Sequence, residues 1–234
     1  MKKQLFTSIL ALIIINANAQ TNKTFFLGHS LLNFHVPNMV QKLSVAGSQS
    51  FSYKVNIGIG ANLKTHYTKA YGSQGDEWDT TLNKPGFENF IITEAVPLKG
   101  HLQWSGTYHY ADSLYKFAKI ANPNIQFYIY ETWHCKNRGK PEGCEWDNDD
   151  AISWRNRLTV DLPLWEGIAV YVNTLNPKSM LVIPAGQGLA RLHDSMVAGK
   201  VQGYKTAESL FTDDIHLSYK GNYYIACINV CCYS

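Results

Sequence analysis

Short apolar runs closed by glycine, proline or asparagine recur along the chain. They alternate with longer stretches whose apolar residues repeat at helical spacing. Thr24-Phe25-Phe26-Leu27 is one such run and ends at Gly28. Phe51 to Ile57, closed by Gly58 and Gly60, is another. Phe90-Ile91-Ile92, Ile125 to Tyr130, and Met180 to Ile183 between Pro177 and Pro184 complete the set. Runs this short and this well bounded predict buried strands. Between them, Pro37 to Val45 places Met39, Val40 and Leu43 at helical spacing. Tyr108 to Ala121 sets Tyr110, Leu114, Phe117, Ala118 and Ala121 on one face and stops at Asn122-Pro123-Asn124. Gly188 to Ala198 and Ser218 to Cys232 also read as helices. Ala151 to Asn173 predicts a helix in two pieces, broken at Pro163. Buried strands separated by helices specify a parallel sheet covered on both faces. The expected fold class is α/β, a three-layer α/β/α sandwich with a central, mostly parallel, five-stranded sheet.

Residues 1–19 stand apart from this pattern. Lys2 and Lys3 precede an apolar run from Leu5 to Ile15, and Ala17-Asn18-Ala19 forms a small-x-small cleavage site before Gln20. This is the pattern of a secretory signal peptide, with cleavage expected after Ala19 and a secreted or periplasmic mature protein. The run is short for a membrane span, so stable membrane insertion is not expected. Residues 20–234 carry no repeat, low-complexity segment or Pro/Ser-rich linker and read as a single domain. The final residues, Ile228 to Ser234, hold no stop signal, as if the chain ended within an apolar run.

Composition supports a folded domain: 45% hydrophobic against 17% charged residues leaves ample material for a core. Loss of Lys2 and Lys3 with the leader leaves 19 basic against 18 acidic residues, so the formal +3 charge falls to about +1. The basic residues are scattered, and nucleic-acid binding is not indicated. Among the five cysteines, Cys135 and Cys144 flank a polar loop, Lys136 to Gly143. In an oxidising compartment this predicts a disulfide rather than a metal site, since no Cys-x-x-Cys pair is present. Cys227 and Cys231 share a helix face and read as buried free thiols. The acidic run Asp147-Asn148-Asp149-Asp150 lacks the glycine and final glutamate of a calcium loop. It reads as favourable charge at a helix start.

Two short motifs bear chemistry. Gly28-His29-Ser30-Leu31 follows the first strand, at the carboxyl edge of a parallel sheet where ligands bind. Ser30 is there either as a nucleophile, which needs a base, or as a helix cap. Asp213-Asp214-Ile215-His216 precedes the last helix. A carboxylate three residues before a histidine can hold its Nδ1–H and leave Nε2 free as a base; the plainer alternative is a capping aspartate and a surface histidine. Each motif is weak alone, and the pair carries the argument.

On these two motifs, their order and the strand–helix succession between them, the chain resembles the SGNH (GDSL-like) hydrolase family. The resemblance implies a flavodoxin-like sandwich, Ser30, Asp213 and His216 as catalytic residues, and no cofactor or metal. It further implies an oxyanion hole formed by the N–H groups of Ser30 and of a glycine in Asn56 to Asn62, with Gly60 first and Gly58 in reserve. The family's Gly-x-Asn-Asp block is not matched. Ile91-Ile92-Thr93-Glu94-Ala95-Val96-Pro97 stands there, with Glu94 where an oxyanion-binding asparagine is expected. An ionised carboxylate would repel the oxyanion, so Glu94 is either paired or turned aside, or it is protonated and donates a hydrogen bond. Asn62 is a substitute amide to consider.

Glu131-Thr132-Trp133-His134 follows the fourth strand. With Glu94, the residues Glu131, Trp133 and His134 are candidate substrate contacts, with a structural cluster as the alternative. Trp78 and Trp104 fall in predicted loops, Trp154 and Trp165 in predicted helices and hence in the core. The expected function is an exported serine esterase acting on a small-molecule or carbohydrate ester, an O-acetyl group being favoured. A non-catalytic glycan-binding protein on the same fold is the rival class, and Glu94 is the feature that favours it.

Overall fold

The computed structural model describes residues 22–70, 72–136, 152–176 and 180–233. The leader 1–19, Cys144 and the acidic run 147–150 lie outside the described residues, as does the polar loop beyond Lys136.

Among the described residues the strands are β1 (Asn22–Gly28), β2 (Phe51–Ile57), β3 (Gln74–Gly75), β4 (Asn89–Ile92), β5 (Gln126–Tyr130) and β6 (Met180–Ile183). The helices are α1 (His35–Ala46), α2 (Leu63–Thr68), α3 (Trp78–Leu82), α4 (Leu98–Trp104), α5 (Thr107–Ala121), α6 (Trp154–Leu175), α7 (Ala185–Val197) and α8 (Tyr219–Tyr233). A 3-10 turn spans Ala207–Leu210. The sheet order is β3-β2-β1-β4-β5-β6, with every pair parallel except β2–β3.

Alternation along each strand sorts the core into two layers. Phe26, Ile91, Tyr128 and Tyr130 face α1, α7 and α8, packing with Val36, Val40, Leu189 and Ile225. Phe25, Leu27, Phe90, Ile92, Phe127 and Ile129 face the other way, against Leu63, Leu114, Ile168 and Val172. A sheet buried on both faces needs apolar side chains at successive positions, which is why its strands are continuous apolar runs. The α/β/α sandwich read from the sequence is therefore the architecture of the protein.

Three details differ from the sequence reading. The sheet has six strands rather than five. The extra one, β3, has no apolar run and exists because Asp76 clamps it: the Asp76 N–H donates to the Val55 carbonyl at 2.7 Å. The Asp76 carboxylate accepts from the Val55 N–H at 3.2 Å and from Lys54 at 2.8 Å. Second, α6 is one continuous helix with Pro163 inside it, not two pieces. Pro163 and Thr159, whose carbonyl loses its donor, both lie on the exposed face where water can replace that bond. Third, Cys227, Cys231 and Cys232 are free, but Cys227 and Cys232 are half-buried and Cys231 is exposed, because α8 turns that side outward. Trp154 and Trp165 are in the core as expected, and Trp78 joins them, while Trp104 is largely exposed.

The chain leaves β1 toward β2 on one side and later adds β4 on the other. The loops after β1 and β4 thus diverge and open a crevice beyond their carboxyl ends.

Candidate active site

Gly28 ends β1 in a crowded position. A side-chain carbon there would come within 2.7 Å of Thr93 Cγ2, so only glycine lets the turn after β1 lie against the turn after β4. The chain then runs through a tight turn in which the N–H groups of Leu32 and Asn33 both donate to the His29 carbonyl at 3.0 Å. Helix α1 begins only at His35 after the N-cap Phe34, and its first donors are met by Asn33, whose Oδ1 accepts from the N–H groups of His35 at 2.6 Å and Val36 at 3.3 Å. Ser30 is thus free of the capping role. It stands on the turn with its hydroxyl donating to His216 Nε2 at 2.9 Å.

His216 is carried by a loop held at both ends. Phe211 bridges to Leu217, and the Thr212 N–H donates to the His216 carbonyl at 2.8 Å. The His216 Nδ1–H donates to Asp213 Oδ2 at 2.8 Å. Asp213 Oδ1 accepts from the N–H groups of His216 at 2.6 Å and Ile215 at 2.8 Å. Partial burial pushes the Asp213 carboxyl up, but the His216 and Ile215 N–H groups and the His216 ring outweigh it and hold it below the ordinary carboxylate range. The sequence therefore brings Ser30, His216 and Asp213 into one hydrogen-bonded line. An oriented imidazole with a free basic nitrogen on a hydroxyl is the geometry that activates a serine.

A cavity of about 560 Å³ opens beside this line. It is lined by Ser30, His29, Gly60, Pro97, His101 and His216, with Leu31, Ile59, Ala95, Val96 and Ile215 as its apolar wall. Gly60 has φ +64°, a conformation that glycine adopts without strain. The Gly58 N–H donates to the Gly28 carbonyl at 2.9 Å and so is consumed by the fold. The N–H groups of Ser30 and Gly60 make no hydrogen bond among the described residues, and both residues border the cavity.

Glu94 is wholly buried and does not line the cavity. Its Oε1 accepts from the N–H groups of Ala95 at 2.7 Å and Leu63 at 3.2 Å, and its Oε2 accepts from the Thr107 hydroxyl at 2.7 Å. Burial raises its pKa to about 7, against the pull of those three bonds. Glu94, read from the sequence as a candidate substrate contact, is thus a clasp that ties the β4 turn to the first turns of α2 and α5 and is turned from the cavity. Asn62 is not a free amide either. Its Oδ1 caps α2 through the N–H and hydroxyl of Thr65, both at 2.8 Å.

Glu131, Trp133 and His134, read from the sequence as candidate substrate contacts, are likewise buried and do not line the cavity. Glu131 accepts from the Gln187 N–H at 3.0 Å and the Gln187 amide at 2.8 Å near the start of α7; burial raises its pKa to about 7. His134 packs near Asp161, with Nδ1 3.6 Å from its carboxylate. Trp133 has a role that sequence reasoning did not assign. Its Nε1–H donates to the Ile215 carbonyl at 2.7 Å and the Lys136 N–H donates to the Asp214 carbonyl at 3.0 Å, so the β5 loop braces the His216 loop. His29 and His66 are buried and neutral. Burial lowers each pKa to about 4, and their Nε2–H groups donate to the carbonyls of Glu94 and Gly28 at 3.0 Å. His101, missed by the sequence reading because α4 carries no apolar run, is the remaining histidine at the cavity.

Similar proteins agree with the fold. No family model matches the chain, and no curated protein matches its sequence. Solved structures match over nearly the whole chain. A DUF4886 family protein from Bacteroides uniformis aligns with a TM-score of 0.64 at 16% identity, covering 90% of this chain and 82% of that one. A carbohydrate esterase family 3 protein from Talaromyces cellulolyticus aligns at 0.52 and 12% identity over 90% and 95% of the two chains. A member of the lipolytic G-D-S-L family from Veillonella parvula aligns at 0.51 and 13% identity over 88% and 94%. The chain has the SGNH hydrolase fold.

Proposed function

We propose that the protein is a serine hydrolase of carboxylic esters. The observation that carries this reading is the Ser30–His216–Asp213 line, with hydrogen bonds of 2.9 and 2.8 Å, at the mouth of a cavity. Ser30 Oγ attacks the ester carbonyl while His216 Nε2 takes its proton. Asp213 holds the imidazolium that results. The N–H groups of Ser30 and Gly60 receive the oxyanion. On collapse of the tetrahedral intermediate, His216 returns the proton to the leaving alkoxide, and water then releases the acyl group by the same steps. Every proton is accounted for by His216, and Glu94 takes no part in the cycle. With Glu94 turned away from the site, no carboxylate faces the oxyanion, and the missing side-chain amide is the one feature that still favours a non-catalytic glycan-binding protein.

The substrate we favour is an O-acetyl ester on a carbohydrate. Support comes from the likeness to a carbohydrate esterase, and the cavity of about 560 Å³ leaves room for a sugar ring beside the acyl group. Export, inferred from the leader pattern, would place the protein among extracellular or periplasmic glycans and would allow Cys135, fully buried in the loop after β5, to pair with Cys144. The decisive experiment is covalent labelling with a fluorophosphonate, comparing wild type with Ser30→Ala. Labelling of wild type alone, together with hydrolysis of p-nitrophenyl acetate, is the expected result. Equal labelling of both would overturn the assignment of Ser30.

A further inference from the structure

Helix α4 presents His101 to the cavity, on the side where Val96 and Pro97 follow the Glu94 clasp. Its ring is held by a chain of groups whose roles can be assigned one by one. Asn62 Oδ1 accepts two hydrogen bonds from Thr65, which fixes the orientation of the Asn62 amide. The Asn62 Nδ2 therefore faces Ser105 Oγ at 3.2 Å and His101 Nδ1 at 3.4 Å. An amide nitrogen only donates. Facing that donor, His101 Nδ1 accepts, and the Ser105 hydroxyl donates to the same nitrogen at 2.9 Å. Nδ1 is thus an acceptor, and the ring carries its proton on Nε2. Burial lowers the His101 pKa, which keeps the ring neutral. Nε2–H makes no hydrogen bond among the described residues, while the ring borders the same cavity as Ser30 and Gly60.

We propose that His101 is a catalytic residue whose Nε2–H is a third donor to the oxyanion, serving where Glu94 has left no side-chain amide. This rests on the hydrolase reading above. Asn62 and Ser105 are positioning residues that fix the tautomer. A neutral N–H donor suits this role, because it stabilises developing negative charge without competing with His216 for the Ser30 proton.

The test compares wild type with His101→Leu, His101→Gln and Ser30→Ala on a short acyl ester. Leucine keeps the bulk and removes the donor, while glutamine returns an N–H near the place of Nε2. His101→Leu should lower kcat by about a hundredfold to a thousandfold with KM nearly unchanged. His101→Gln should recover at least about tenfold of that loss. A His101→Leu enzyme with wild-type kcat, or a loss confined to KM, overturns the proposal while the hydrolase reading stands, provided Ser30→Ala is inactive. If wild type is as inactive as Ser30→Ala, the hydrolase reading falls and the role of His101 with it. Nitrogen-15 spectra of the wild-type imidazoles give a readout that needs no turnover and no variant: a His101 ring protonated on Nε2 supports the assignment, and one protonated on Nδ1 overturns it.

Discussion

Ser30 and His216 stand 186 positions apart in sequence and 2.9 Å apart in space. If the two act as one unit, removing either should cost nearly what removing both does. Ser30→Ala and His216→Ala should each lower kcat by at least about a thousandfold, and the double variant should lose little more; steady-state kinetics on one ester decides this. Glu94 makes a different prediction, one of stability. Glu94→Ala leaves the N–H groups of Leu63 and Ala95 without their acceptor in a dry site and opens a void, at a cost of about 2–5 kcal/mol in denaturant unfolding. Glu94→Gln keeps the oxygen that both N–H groups need, and the Thr107 hydroxyl can turn to accept from the new amide. It should fold and keep the shape of the pH–activity profile, because the carboxyl does not reach the cavity. Ser30, Asp213, His216 and Gly60 were legible as candidates because each sits in a short motif at a turn. The burial of Glu94 was not, because its partners come from the starts of two helices, α2 and α5, one of which has too little apolar pattern to be read.

At the scale of elements, the strands were legible wherever both faces are buried, since continuous apolar runs have few other uses. What escaped was the short and the polar: β3, held by a single aspartate, and α2, α3 and α4, whose few turns are fixed by tertiary contacts rather than by periodicity. Of these, α4 brings His101 to the cavity, so the Ser30–His216–Asp213 line could be read before the pocket could. The loop after β5 shows the same limit. Trp133, with its indole wholly buried, invites a reading as core, yet its N–H braces the carbonyl next to His216. Trp133→Phe removes that donor and leaves the buried Ile215 carbonyl unpaired, a loss of about 1–3 kcal/mol. Because the loop it releases carries His216, kcat should fall more than KM rises, which a kinetic comparison with wild type checks. The Asn33–Asn222 bond predicts a parallel effect. It links the Ser30 turn to α8 at 3.0 Å, and the Asn222 amide also donates to the Leu217 carbonyl at 3.1 Å. Asn222→Ala should therefore slow catalysis without touching a residue of the cavity.

For the molecule as a whole, the buried ionisable groups set opposing pH dependences of stability. Glu94 and Glu131 have pKa values raised by burial to about 7. Between the ordinary carboxylate range and that value, the folded protein holds protons that the unfolded chain has released. Their contribution is thus fully present below about pH 4.5 and is lost as pH rises toward about 7. His29 and His66 work in the other direction. Burial lowers both to about 4, so the unfolded chain binds the extra protons between about pH 4 and 6.5. Their contribution is present above that window and lost as pH falls through it, and the lowered His101 adds to the same side. Across about pH 5 to 6.5 the two sets largely offset, and the wild-type melting temperature should vary little there. Glu94→Gln removes one proton from the carboxylate side only. Relative to wild type, the variant should gain stability with rising pH, by up to about 1.4 kcal/mol per pH unit between about pH 5 and 7. Denaturant unfolding of both proteins at half-unit steps measures this difference, in which every other titration common to the two cancels. A difference that does not change with pH would mean that Glu94 is ionised across the range despite its burial, and that its three hydrogen bonds outweigh the loss of water around it.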